Sequence, residues 1–197
     1  MLTFLGAVAL AFGAIFVAEF GDKSQLLILA FASRFAARPV IIGVVLAASI
    51  IQGVSVAIGA VLGAALPATA VGVVSGVAFL AVAAWTLRGE DDEEVESADA
   101  TGARTLAGVA LVLTVAGTFI LSELGDKTML ATFALAATQG ALPTWIGSTA
   151  GEVGANLVAV AVGRQAGHRL SPRVVRIGSA ALFAVAGVAV LLGALLG

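Results

Sequence analysis

Two six-residue segments carry the residues of this chain best suited to chemistry. Glu19-Phe20-Gly21-Asp22-Lys23-Ser24 recurs as Glu123-Leu124-Gly125-Asp126-Lys127-Thr128. Each copy holds two carboxylates, an ammonium and a hydroxyl, and each is flanked by sequence apolar enough to cross a bilayer. Leu2 to Ala18 and Gln25 to Ser33 carry no charge, and neither do Leu106 to Ser122 and Met129 to Gly151. In a water-soluble protein such a hexapeptide is a solvated turn. Here every charge must be held against hydrocarbon, at a cost of about 3 kcal/mol each on insertion scales. Nothing in packing requires that cluster once, let alone twice, so function is the better reading.

The chemistry follows from donor type and charge. Glu19 and Asp22 are three residues apart and Glu19 and Lys23 four apart, so on a continuous helix all three share a face. Gly21 allows the backbone to bend between the carboxylates and to free carbonyl oxygens as further ligands. A joint site would hold Glu19, Asp22, Glu123 and Asp126, with Lys23 and Lys127 adjoining. Fully ionised, these six groups sum to -2, four negative and two positive. One divalent cation neutralises that deficit, and so do two protons. Either occupant relieves the same burial penalty, and both cannot bind well together, which is the physical core of a cation/proton exchanger.

Hardness narrows the ion. The carboxylates, the hydroxyls of Ser24 and Thr128, and the amides of Gln52 and Asn156 are all oxygen donors. The chain has no cysteine, and its one histidine, His168, stands between Arg164 and Arg169 as a surface residue. Zinc, copper and other soft-ligand ions are therefore disfavoured. Calcium, manganese or magnesium suit oxygen sites, although magnesium gives up water reluctantly. Glu152 is a further intramembrane acid, four residues before Asn156 and on the same helical face. It reads as a proton-carrying or site-gating acid, or else as a structural partner for a lysine.

The elements that position these residues are read from composition. The chain is 60% hydrophobic and 11% charged, with a mean hydropathy of +1.12, outside the soluble globular range and that of an all-α integral membrane protein. Six stretches have the length needed to cross ~30 Å of hydrocarbon: residues 3–33, 40–64, 68–87, 105–137, 143–163 and 175–196. The first and fourth are too long for one straight crossing and each has its motif glycine near the middle, so tilt, a break at the motif, or both are expected. Pro39, Pro67, Pro143 and Pro172 fall at span starts or just before them. The N-terminal apolar run lacks a basic region ahead of it and leads straight into the motif, so it reads as a first helix and not a signal peptide.

Sliding the chain by 104 residues aligns the two motifs without a gap. Pro39 meets Pro143, Gly43 meets Gly147 and Gly59 meets Gly163, and 17 of the 51 positions between 13 and 63 are identical. Gln52 falls on Asn156, whereas Glu152 falls on Ala48. The organisation is thus two three-helix repeats, residues 1–88 and 105–197, joined by an acidic linker at 89–104 that holds seven of the twelve acids. An odd number of spans per repeat requires inverted topology. With both termini non-cytoplasmic, Arg34, Arg38, Arg88, Arg104, Arg164, Arg169, Arg173 and Arg176 all fall on the cytoplasmic side, as the positive-inside rule asks. The linker is then a solvated cytoplasmic segment, with metal sampling as its alternative role. Gly59/Gly63, Gly72/Gly76, Gly147/Gly151 and Gly163/Gly167 have the spacing of close helix packing, and Trp85 and Trp145 sit at span ends as interfacial anchors.

A duplicated E-x-G-D-K-[ST] motif in two three-helix repeats resembles the Gdt-one family of membrane cation exchangers, and the resemblance covers nearly the whole chain with both motifs matching at every defined position. It implies manganese, and in some members calcium, moved out of the cytosol against protons, with Glu19, Asp22, Glu123 and Asp126 as ion ligands. Lys23, Ser24, Lys127, Thr128, Gln52, Asn156 and Glu152 are supporting residues on the reading of the sequence itself. The expected protein is a multi-pass transporter of the cell's inner membrane, not an enzyme, without a resident cofactor or nucleic-acid partner. Its substrates would be Mn2+ or Ca2+ and H+. A passive channel would not need carboxylates that protons can neutralise. A membrane enzyme acting on lipid phosphates would want arginines at the site, and here they lie at the membrane edge.

Overall fold

In the computed structural model, the described residues are 3–20, 22–88, 108–166 and 172–196, and they form eight α-helices. These are α1 (Phe4–Glu19), α2 (Lys23–Arg34), α3 (Ala37–Ala65), α4 (Ala68–Arg88), α5 (Gly108–Glu123), α6 (Lys127–Gln139), α7 (Ala141–Ala166) and α8 (Pro172–Leu196). The acidic linker with Arg104, the loop residues His168 and Arg169, Gly167 and Gly21 lie outside the described residues. So do the side chains of Lys23, Arg164 and Arg176.

Local sequence explains the boundaries. Pro39 and Pro143 occupy the first turns of α3 and α7, Pro172 opens α8, and Pro67 stands just ahead of α4. At those positions a missing backbone N–H removes no intrahelical bond. The Thr3 hydroxyl accepts from the Gly6 amide at 3.2 Å and caps α1. Gly140, at φ 96°, ends α6 in a conformation that favours glycine.

The two over-long stretches are each divided at their motif. Residues 20–22 separate α1 from α2, and α5 meets α6 at an 81° bend. Gly125 makes the second turn at φ 80°. Of the alternatives left by length, a break is what the chain adopts. Among the described residues α3 and α4 are each long and apolar enough to cross a membrane, and α5–α6 is a third if the bent pair counts as one span; α1 and residues 180–196 are apolar but shorter.

The distribution of side chains is inside-out. Leu5, Val61, Leu121 and Leu196 are among many large apolar residues that face outward, Leu196 at 82% exposure. Meanwhile Glu19, Ser24, Gln52, Thr132, Ser148 and Glu152 are wholly buried. Water would penalise that apolar exterior, whereas hydrocarbon accepts it. The chain is a membrane protein by this arrangement.

Helices pair across the two halves: α1 lies on α7, α3 on α5 and α6, and α4 on α8. Gly43 abuts the Val112 carbonyl and Val115, and Gly147 abuts the Val8 carbonyl and Ala11. These are the same contact displaced by 104 residues, made once in each direction. Gly59 and Gly63 press on Phe133, Ala136 and Ala137 of α6, while Gly72 and Gly76 press on Ala194 and Leu191 of α8. Glycine spacing serves close packing here, as the sequence led us to expect. Trp145 also ties α7 to α3, its indole N–H donating to the Ser49 carbonyl at 3.1 Å. Two apolar clusters flank the interior, one from α1, α4, α6 and α8 around Ile15, Phe79 and Phe183, the other from α2, α3 and α5 around Val44 and Phe119.

Candidate cation site

The motif acids stand at a turn between two helices in each copy. Glu19 is the last residue of α1, and Asp22 precedes α2. The Asp22 amide donates to the Glu19 carbonyl at 3.2 Å, and the Gln25 amide donates to the Asp22 carbonyl at 3.1 Å. The second copy repeats the turn, with the Asp126 amide on the Glu123 carbonyl at 3.1 Å. Asp126 is the N-cap of α6 in extended conformation, yet its carboxylate makes no capping bond. The sequence left open tilt or a break at the motif, and α1 ends at Glu19 while α2 begins after Asp22, as a break requires. The turn ends α1 and α5 beside the acids. The last carbonyls of a helix lack intrahelical donors and carry the negative end of its dipole, so these ends favour a cation.

One carboxylate oxygen from each of Glu19, Asp22 and Asp126 lies within 4.8 Å of the others, and all three side chains are buried. The group joins both motifs. Glu123, 2% exposed, stands beside it and interacts electrostatically with Asp126 and Asp22. The Ser24 hydroxyl donates to Glu19 Oε2 at 3.3 Å. Lys127 forms an ion pair with Asp22 across the halves. Thr128 is buried, and its hydroxyl has no hydrogen-bond partner among the described residues.

A polar layer adjoins the acids. Gln52 on α3 donates through Nε2 to Glu152 Oε2, and its own Oε1 accepts from Thr132 at 2.7 Å. Asn156 donates to the Glu152 carbonyl at 2.9 Å. The side chain of Glu152 thus has an amide as its hydrogen-bond partner, and the lysine described in the cluster pairs with Asp22 instead.

Several polar residues here were not singled out from the sequence: Gln25, whose amide donates to the Ala155 carbonyl at 3.4 Å, Thr132, and buried Ser55 and Ser148. A signal existed for some of them. Thr132 is four residues after Thr128, and Ser148 four before Glu152, so each shares a helical face with a residue already marked.

Broken helices whose ends meet around buried acids, inside an apolar exterior, are a recurring arrangement of secondary transporters. The model of the family described as divalent cation/proton antiporter GDT1 matches residues 7–94 and 111–197, one segment in each half. The chain belongs to that family. It is 29% identical over 182 residues to a Vibrio cholerae serotype O1 protein named "Putative manganese exporter", covering 91% of this chain and 87% of that one. It is 28% identical over 200 residues to Protein PAM71, chloroplastic, of Arabidopsis thaliana, covering 90% of this chain and 54% of the plant protein. No solved structure matches.

Proposed function

We propose that this chain exports a divalent cation, Mn2+ by preference, from the cytoplasm in exchange for protons, with Glu19, Asp22, Glu123 and Asp126 as its ligands. The observation that carries the reading is the buried approach of Glu19, Asp22 and Asp126 to within 4.8 Å, contributed by both motifs. Anionic oxygens so close repel one another in a low dielectric, and a divalent cation or protons relieve that repulsion equally well. Occupancy by one therefore excludes the other, and exchange follows if each side of the membrane offers the site in turn. Ser24, Thr128, Gln52 and Asn156 supply neutral oxygens around it, and Lys23 and Lys127 trim the charge to a deficit of two. The name of the Vibrio relative supports manganese. Calcium accepts the same oxygens and is the alternative cargo.

The accompanying topology is six crossings, with α1–α2 and α5–α6 each counted as one broken span, arranged as two inverted three-span repeats in the cell's inner membrane. The reciprocal packing of Gly43 on Val115 and Gly147 on Ala11 supports a two-fold relation between the halves. Three crossings per half make that relation inverted. Exposed Arg34, Arg38, Arg88 and Arg173 support a cytoplasmic placement of their ends, leaving both termini on the other side.

Reconstituted vesicles test the function. An imposed pH gradient should drive Mn2+ into the lumen with a matching change in lumenal pH, and competition among Mn2+, Ca2+, Mg2+ and Zn2+ should rank Mn2+ first. Metal flux indifferent to the pH gradient would overturn antiport. Glu19→Gln and Asp126→Asn should each abolish flux while the protein remains inserted, and wild-type rates in either would remove the site.

A further inference from the structure

Glu152 belongs to neither motif, yet it is as deeply buried as any motif acid. One of its oxygens, Oε2, accepts from the Gln52 amide, and Gln52 is itself held by the Thr132 hydroxyl. The other oxygen, Oε1, has no hydrogen-bond partner among the described residues. One helical turn along α7, Asn156 is 1% exposed. Its Nδ2 is spent on the Glu152 carbonyl, and its Oδ1 likewise has no partner. Two buried oxygen acceptors thus stand a turn apart without donors among the described residues, and one cation would serve both together.

The position is continuous with the motif acids. Glu152 lies close enough to interact electrostatically with Glu19, Glu123 and Asp126. Asn156 also borders a small pocket between α2, α3 and α7 whose surface is apolar, lined by side chains such as Ile28, Ala32, Val40 and Val44. The repeat counterpart of Glu152 is Ala48, fully buried and without an acid.

We infer that Glu152 Oε1 and Asn156 Oδ1 form a second cation position, present in one half only, beside the motif cluster. This rests on the proposed export function and adds to it a binding position that is not symmetric. Gln52 holds the Glu152 carboxylate in place by one oxygen and leaves the other for the ion.

Glu152→Gln separates this role from a structural one, because the amide oxygen still accepts from Gln52 while the anionic ligand is lost. In vesicles the variant should raise the KM for Mn2+ by about tenfold or more, with an unchanged melting temperature in detergent. Mn2+ titration of purified protein, followed by electron paramagnetic resonance, should show the same weakening. A KM and an Mn2+ titration within twofold of wild type would overturn the inference. Should Glu152→Gln fail to accumulate, Glu152→Asp keeps the charge but withdraws it by one methylene. It should also raise the KM, and a wild-type KM there would count against the second position equally. Loss of wild-type Mn2+ flux sinks the export reading itself, whereas intact flux with silent Glu152 variants sinks only this inference.

Discussion

Lys127, the lysine of the second motif, is ion-paired with Asp22, the aspartate of the first. The pair crosses between halves of the chain 104 residues apart in register, and both side chains are buried. It makes the two motifs one electrostatic unit. If Asp22 is a cation ligand, as proposed, Lys127 and an incoming cation compete for the same carboxylate.

Removing the lysine should therefore have opposite effects in the presence and absence of cation. Breaking a buried pair from one side costs roughly 3 kcal/mol, because the remaining charge is uncompensated. Lys127→Met should lower the melting temperature in metal-free buffer and enlarge the upward shift that Mn2+ produces, as read by scanning fluorimetry in detergent. A variant as stable as wild type without Mn2+, or no larger a shift with it, would contradict the competition.

Gly125 makes the turn between Glu123 and Asp126 at φ 80°, and an added Cβ there would meet nothing within 4 Å. Its requirement is conformational and not steric. Gly125→Ala should cost about 1–2 kcal/mol and slow Mn2+ flux by displacing Asp126. Gly125→Asn should recover much of both, since asparagine tolerates this region better. Equal damage from the two substitutions would point to crowding instead.

Gly43 and Gly147 hold the α3–α5 and α1–α7 contacts, where an added Cβ would meet Val115 Cβ at 2.8 Å and Ala11 Cβ at 2.8 Å respectively. Alanine at either position should destabilise by about 1–3 kcal/mol through overpacking. Gly13 and Gly117 form another repeat-related pair, with nothing within 4 Å of either. Alanine there should leave the thermal denaturation profile close to wild type. The contrast within four chemically identical substitutions is the check.

Thr132 donates to the amide oxygen that keeps Gln52 oriented toward Glu152. Thr132→Val preserves shape and removes the donor, leaving Gln52 Oε1 buried without a partner, at about 1–3 kcal/mol. Lower stability together with a raised KM for Mn2+ is expected. Thr132→Ser, which keeps the hydroxyl, should restore the KM in the same vesicle assay.

The membrane class and the 104-residue repetition of sequence were readable without a structure, because each depends on residue type and spacing. Uncharged flanks around Glu19 and Glu123 exclude a solvated turn whatever the fold, and a gapless 104-residue offset exposes the duplication. The excessive length of residues 3–33 and 105–137 even required tilt or a break. What the sequence could not decide was how two motifs meet. Glu19 and Asp22 share a face if the helix continues and part if it breaks, and only the fold shows α1 ending at Glu19 with Asp22 in the turn before α2, because helix continuity at a glycine depends on what packs against the freed backbone. Likewise Lys127 could have answered either aspartate, and Glu152 either a lysine or an amide. Those choices rest on distances between residues a hundred positions apart, which periodicity does not encode and the packing of α3, α6 and α7 does.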